Sequence, residues 1–360
     1  MRTVQIVFAA AGFASVASCS FWHGLTLSEA PSASAEKPLR SDIELTEAKW
    51  TAAEADILYI LTKEPAECLA PASDKETQYL IDVGRTAFNS PFLLGGQAAR
   101  ARLTCNSCHR RGGDNPDFFI AGLSSKPGTA DVTSSIFSKI REDGEFNPVA
   151  IPTLIDSAAK SSFGSHGVSA ELNAAPESML SLRAPGKGSL ELQAFIASAI
   201  TDEFQGVPPP QPVLDGLVAY VAHLKSDECA SDNVDRTLSA DVARIAGMID
   251  AAIESVERGE RDTASLLVLT AQNKFVDIYE RYNIDGLLDQ RNVILDRAQQ
   301  LAKLRPKVAA RKEKIEIELA AFLASLDQFA RYLESSSEHS LYNKGVLIEL
   351  LGLEETEESI

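Results

Sequence analysis

The run Cys105-Asn106-Ser107-Cys108-His109 constrains this chain more than any other feature. Two thiols at this spacing, with a histidine directly behind the second, form the C-x-x-C-H pattern of haem c attachment. Thioether bonds from both sulfurs tie the porphyrin to one short turn, and the histidine then lies under the iron as proximal ligand. Covalent attachment also lets a small helical domain hold a group that it is too small to enclose. The competing uses of such a motif fit less well. Zinc needs four ligands, and there is no second Cys/His cluster. A dithiol redox pair needs a βαβ setting, and strand patterns are scarce. The expectation is one covalent haem c on Cys105, Cys108 and His109.

The N-terminus reads as an export signal over residues 1–18. Arg2 supplies a positive start, and residues 6–16 form an apolar run too short to cross a bilayer comfortably. The run ends in Val16-Ala17-Ser18-Cys19, which resembles the lipobox of bacterial lipoproteins. That resemblance implies a lipid on Cys19 and a periplasmic, membrane-anchored protein, with Ser20 favouring the outer membrane. Ordinary cleavage and release is the alternative.

Cysteine usage follows from that compartment. Cys105 and Cys108 belong to the motif and Cys19 to the lipid, which leaves Cys68 and Cys229. Unpaired thiols are unusual in an oxidising compartment, so a Cys68–Cys229 disulfide is expected to clasp the haem domain. Two independent buried thiols are the alternative. The formal charge of −17 over 360 residues argues against nucleic acid as a partner and suits a basic or neutral protein.

Residues 19–45 are rich in Ser, Ala, Pro and Glu and read as a flexible tether. Helical periodicity is expected over 46–63, 74–88, 189–203 and 211–226, with a Gly-, Pro- and Asp-rich loop from the motif to about residue 150. From about residue 233 the texture changes to Ala, Leu, Glu, Arg and Ile at helical spacing. Helices are expected at 239–258, capped by Ser239, at 262–282, capped by Asp262, and at 285–303 and 307–334. Such helices fit an antiparallel bundle. The fold class is therefore all-α, with a haem domain over 46–231 and a helical bundle over 232–360.

Further residues around the motif carry a family resemblance. They are Gly84-Arg85-Thr86-Ala87-Phe88-Asn89-Ser90-Pro91, Ile151-Pro152-Thr153-Leu154, Phe163-Gly164-Ser165-His166-Gly167, the helix over 190–204, and Leu214-Asp215-Gly216-Leu217-Val218-Ala219-Tyr220-Val221. Together, over about residues 74–226, they resemble the bacterial di-haem cytochrome c peroxidase and MauG-like family. The resemblance implies a cytochrome c-like fold and places His166 near the second axial position. Family enzymes carry two haems, whereas this chain has one C-x-x-C-H and no cysteine in 233–360. Electron delivery between two covalent haems is therefore excluded within it.

His166 leads as sixth iron ligand, Met179 is the alternative, and His223 trails on the last helix of the haem domain. Met opposite His would raise the potential. Arg110 and Arg111 are candidates for the haem propionates, or a solvated pair. The basic run from Lys303 to Lys314, interleaved with glutamates, reads as a solvated helix face. The functional expectation is one-electron transfer to or from a redox protein partner. A peroxidase-like enzyme with an open distal site and an external electron donor is the alternative. A haem-based sensor or scaffold is the weakest reading.

Overall fold

Several helices in this protein start where a short oxygen-bearing side chain takes up a free amide. In the computed structural model, which describes residues 45–159, 189–230 and 233–353, Asp56 accepts from the Tyr59 amide and opens α1 (Ile57–Thr62). Asp74 does the same for Thr77 at α2 (Lys75–Phe88), and Thr237 for Ala240 at α7 (Leu238–Glu257). Between them lie α3 (Gly96–Arg100), α4 (Cys105–Cys108), α5 (Ser189–Ser198), which runs on as a π-turn over Ala199–Glu203, and α6 (Gln211–Ala222). After α7 come α8 (Arg261–Arg281), α9 (Leu288–Ala309), α10 (Ile315–Ala324), α11 (Leu326–Glu334) and α12 (Lys344–Leu351). The described residues are mostly helical, as an all-α reading expects. Cys19, His166 and Met179 lie outside them, as do the export signal and nearly all of the tether.

Several boundaries differ from the periodicity. Residues 46–63 hold only a 3-10 turn at Thr46–Ala48 and then α1, because Thr51 bridges to Phe118 and pulls the chain into an extended link. Thr237, not Ser239, caps α7, and Asp262 lies inside the first turn of α8. The expected helix over 307–334 is broken twice. Arg311 and Lys314 adopt left-handed φ values of 55° and 61°, and Ser325 separates α10 from α11. The apolar stripe survives the breaks: Ile315, Leu319, Phe322, Leu326, Phe329 and Leu333 are all buried.

Four two-residue strands form two small antiparallel pairs among the described residues. Lys63–Glu64 (β1) pairs with Val234–Asp235 (β4), and Thr129–Ala130 (β2) with Val149–Ala150 (β3). The helices of the second half pack in sequence, α7 on α8 and α8 on α9, with α10 returning to α7. Helices of this length joined by links as short as Arg258-Gly259-Glu260 must run antiparallel.

The expected boundary near residue 231 is not a break in packing. One hydrophobic cluster takes Tyr79, Phe88, Val213 and Tyr220 from the first half, and Ile245, Phe275, Leu319 and Leu333 from the second. A smaller cluster of Leu94, Leu103, Phe118, Leu123 and Phe137 sits under the loop that follows the motif. Among the described residues no helix is long and apolar enough to cross a membrane.

Candidate functional site

The motif forms a single helical turn, α4, built by its own intervening residues. The Thr104 amide donates to the Ser107 hydroxyl at 3.0 Å, closing the start of the turn. The Asn106 carboxamide oxygen accepts from the Arg111 amide at 2.7 Å, and Asn115 donates to the Ser107 carbonyl at 2.7 Å. Asn106 and Ser107 thus clamp the turn, leaving Cys105, Cys108 and His109 free of that duty. Cys105 packs against the large cluster and Cys108 against the small one, so the turn sits where the two meet.

Beyond His109 the chain reverses through Arg111 and Gly112, at φ 54° and 82°. A side chain at Gly112 would overlap Leu224, so the position needs glycine for space as well as for φ. The reversal lets the Leu154 amide reach the Gly112 carbonyl at 2.8 Å, which lays residues 152–154 alongside the motif. There the His109 Nδ1 donates to the Pro152 carbonyl at 2.9 Å. A carbonyl only accepts, so the proton is fixed on Nδ1 and the lone pair on Nε2. Burial pulls the His109 pKa down to about 4, against the pull of the Pro152 carbonyl, so the ring is neutral at neutral pH.

Burial also pushes the Cys105 thiol up to about 12 and the Cys108 thiol higher still. Both sulfurs are neutral at physiological pH, and they are not bonded to one another. Among the described residues no group of three or more His, Cys, Asp or Glu side chains converges as a metal-binding cluster. The motif presents two thiols that are not bonded to one another and one neutral imidazole.

Glu203, which no sequence pattern marked, acts electrostatically on both thiols. It ends the π-turn after α5 and pairs with Arg141 at 2.8 Å, while Arg141 also donates to Ser198 at 2.6 Å. Burial outweighs Arg141 and raises the Glu203 carboxyl to about 7. Gln205 donates to the Phe137 carbonyl at 2.6 Å and Ser138 to the Asp202 carbonyl at 2.5 Å, so this turn and the loop around residue 140 are laced together.

Cys68 and Cys229 come to disulfide distance, their Cα atoms 4.1 Å apart. Leu69 bridges Leu224 beside them, and the Ala70 amide donates to the His223 carbonyl. The His223 ring turns back to its own helix, with Nδ1 2.7 Å from the Ala219 carbonyl. Arg111 binds Glu64 at 2.6 Å, and Arg110 lies 3.7 Å from Asp117. Both arginines line a cleft in which Cys105, Cys108 and His109 take no part. In the basic run, Lys307 and Lys312 both bind Glu318.

Compared with protein-family models, with curated proteins and with solved structures, the chain matches none.

Proposed function

We propose that this protein is a c-type cytochrome, with one haem attached at Cys105 and Cys108 and its iron held by His109. The observation that carries the reading is the His109 Nδ1–Pro152 hydrogen bond directly behind a Cys-x-x-Cys turn. It orients the ring, holds the tautomer and keeps Nε2 unprotonated, which is what an iron ligand requires. The donor set fits the group: two separate thiols for two vinyl carbons, and one neutral imidazole for the metal. The resemblance of residues 74–226 to the di-haem peroxidase and MauG-like family points the same way.

A haem bound there would supply a one-electron Fe(III)/Fe(II) couple. Of the chain's own residues, the Pro152 carbonyl orients the His109 ring, and Asn106 and Asn115 hold the turn that carries it. The main reading is therefore one-electron exchange with a redox protein partner in the periplasm, from a lipid anchor at Cys19. Peroxide chemistry is the second reading, and Glu203 favours it. Its half-buried carboxyl, paired with Arg141 and raised to about 7, is a candidate for the acid–base group that such chemistry uses.

Optical spectra of the haem-matured protein, ferric and ferrous, with and without carbon monoxide, test both. A low-spin spectrum indifferent to carbon monoxide is expected for the carrier, and its loss on replacing His166 but not Met179 would identify the sixth ligand. A high-spin ferric spectrum with ready carbon monoxide binding would favour the enzyme. Absence of any thioether-linked haem after co-expression with a cytochrome c maturation system would end both readings.

A further inference from the structure

The cleft behind the motif turn has features of a binding site. Asn106, Ser107, Arg110 and Arg111 face α7 and α8 across a space of about 490 Å³. The whole chain carries 51 acidic and 34 basic residues. The lining of this cleft reverses that balance, with seven Arg or Lys side chains against five Asp or Glu.

The excess is concentrated at one end. Glu64, only 5 % exposed, accepts from Arg111 at 2.6 Å, from Arg236 at 3.3 Å and from Arg244, one carboxylate among three guanidinium groups. Arg244 has a second partner in Asp241 at 2.8 Å, while Arg236 donates its Nε to the Ile60 and Lys63 carbonyls at 3.0 and 3.1 Å and lies 3.8 Å from Glu47. Arg110 has Asp117 at 3.7 Å, beyond hydrogen-bonding reach, and the charge that acts on it most strongly is the like charge of Arg236. Two arginines, Arg110 behind the motif and Arg236 at the start of the bundle, thus line the same space, Arg110 with no side-chain hydrogen bond among the described residues and Arg236 with its Nη2 left over. Asn106 spends its oxygen on the Arg111 amide, which leaves its amide hydrogens for the cleft.

We propose that this end of the cleft binds a small multivalent oxyanion, a phosphate or a short dicarboxylate, bridging Arg110 and Arg236. Planar guanidinium forks match oxyanion edges in pairs, and a bridging anion removes the repulsion between them. Such an anion would join the motif half of the chain to the bundle half at their polar contact. The site stands on these side chains alone and does not depend on haem attachment.

The test is thermal unfolding and calorimetric titration of the full chain as purified, with sodium phosphate in one arm and sodium succinate in the other. Sodium chloride at matched ionic strength is the reference. Saturable binding is expected in at least one arm, with a rise in Tm that chloride does not reproduce. Which arm responds names the ligand class. Arg110→Gln is expected to weaken binding at least tenfold, while Arg305→Gln, on the exposed face of α9, leaves it unchanged. Gly247→Leu gives an independent check, because it fills the cleft from α7 without removing a charge, and nothing lies within 4 Å of a Cβ there. It too is expected to abolish binding. Equal responses to phosphate, succinate and chloride, or binding indifferent to both cleft variants, would overturn the proposal. Failure of haem attachment would leave this result untouched, so the two readings fail separately.

Discussion

Glu203 shows how far one residue's environment can depart from what its type suggests. Its carboxyl is held at about 7 because burial outweighs Arg141 only 2.8 Å away. The sign of the consequence follows from linkage: a carboxyl raised above its ordinary 4.5 stabilises the fold most below that value, and the contribution fades as pH rises through 7. Glu203→Gln keeps a hydrogen-bonding group and removes the charge. The unfolding free energy of the wild type is expected to fall relative to the variant between about pH 5 and pH 8, by on the order of 3 kcal/mol. Urea unfolding of both proteins across that range measures it, and parallel pH profiles would show that Glu203 does not titrate there. His109 is the opposite case. Its type and place in the motif make it the proposed iron ligand, but its tautomer is set by Pro152, 43 positions away.

Among the elements, α2 and α6 cross at very close range. A Cβ at Gly84 would overlap the Gly216 carbonyl, and one at Gly216 would press on the Gly84 amide and the Leu80 carbonyl. The helices touch backbone to backbone, and no side-chain adjustment relieves an added atom. Gly84→Ala is therefore expected to cost about 3 kcal/mol or more, read from chemical unfolding. The same change at Gly247, inside α7 with open space around its Cβ, is expected to add up to about 1 kcal/mol of stability through helix propensity. Two glycine-to-alanine changes of the same sign would contradict this account of the crossing. At this scale too, α9 and α10 explain why periodicity alone misjudged 307–334: the stripe is continuous in sequence, yet Arg311 and Lys314 turn the backbone left-handed between them.

At the scale of the molecule, the motif half and the bundle half share one core, one β-pair and one network of buried ions. The bundle is therefore not a detachable appendage, and unfolding of the described region is expected to be a single cooperative transition. The Cys68–Cys229 pair closes 161 positions of sequence around the motif. Replacing both cysteines by serine is expected to lower stability by roughly 2–5 kcal/mol, measured as a drop in urea midpoint, with reductant having no further effect on the variant. A variant as stable as the oxidised wild type would mean that the pair is not a structural clasp.

Local chemistry was legible in the residues themselves. The C-x-x-C-H turn, the all-helical periodicity, the start of α2 at Asp74 and the pairing of the two leftover cysteines all depend on neighbours in sequence or on simple counting. What needed the tertiary structure depends on distance and desolvation, which no spacing encodes. The Pro152 carbonyl reaches His109 only because Gly112 reverses the chain. Glu203 titrates near neutrality only because the fold buries it. Arg111, which as sequence could equally serve a propionate or solvent, joins Arg236 and Arg244 around Glu64, and Arg110 lines the same cleft, only because the bundle folds back onto the motif. Helices and motifs are set by short-range periodicity and covalent spacing, while the electrostatics of a site is set by which distant charges share a space closed to water.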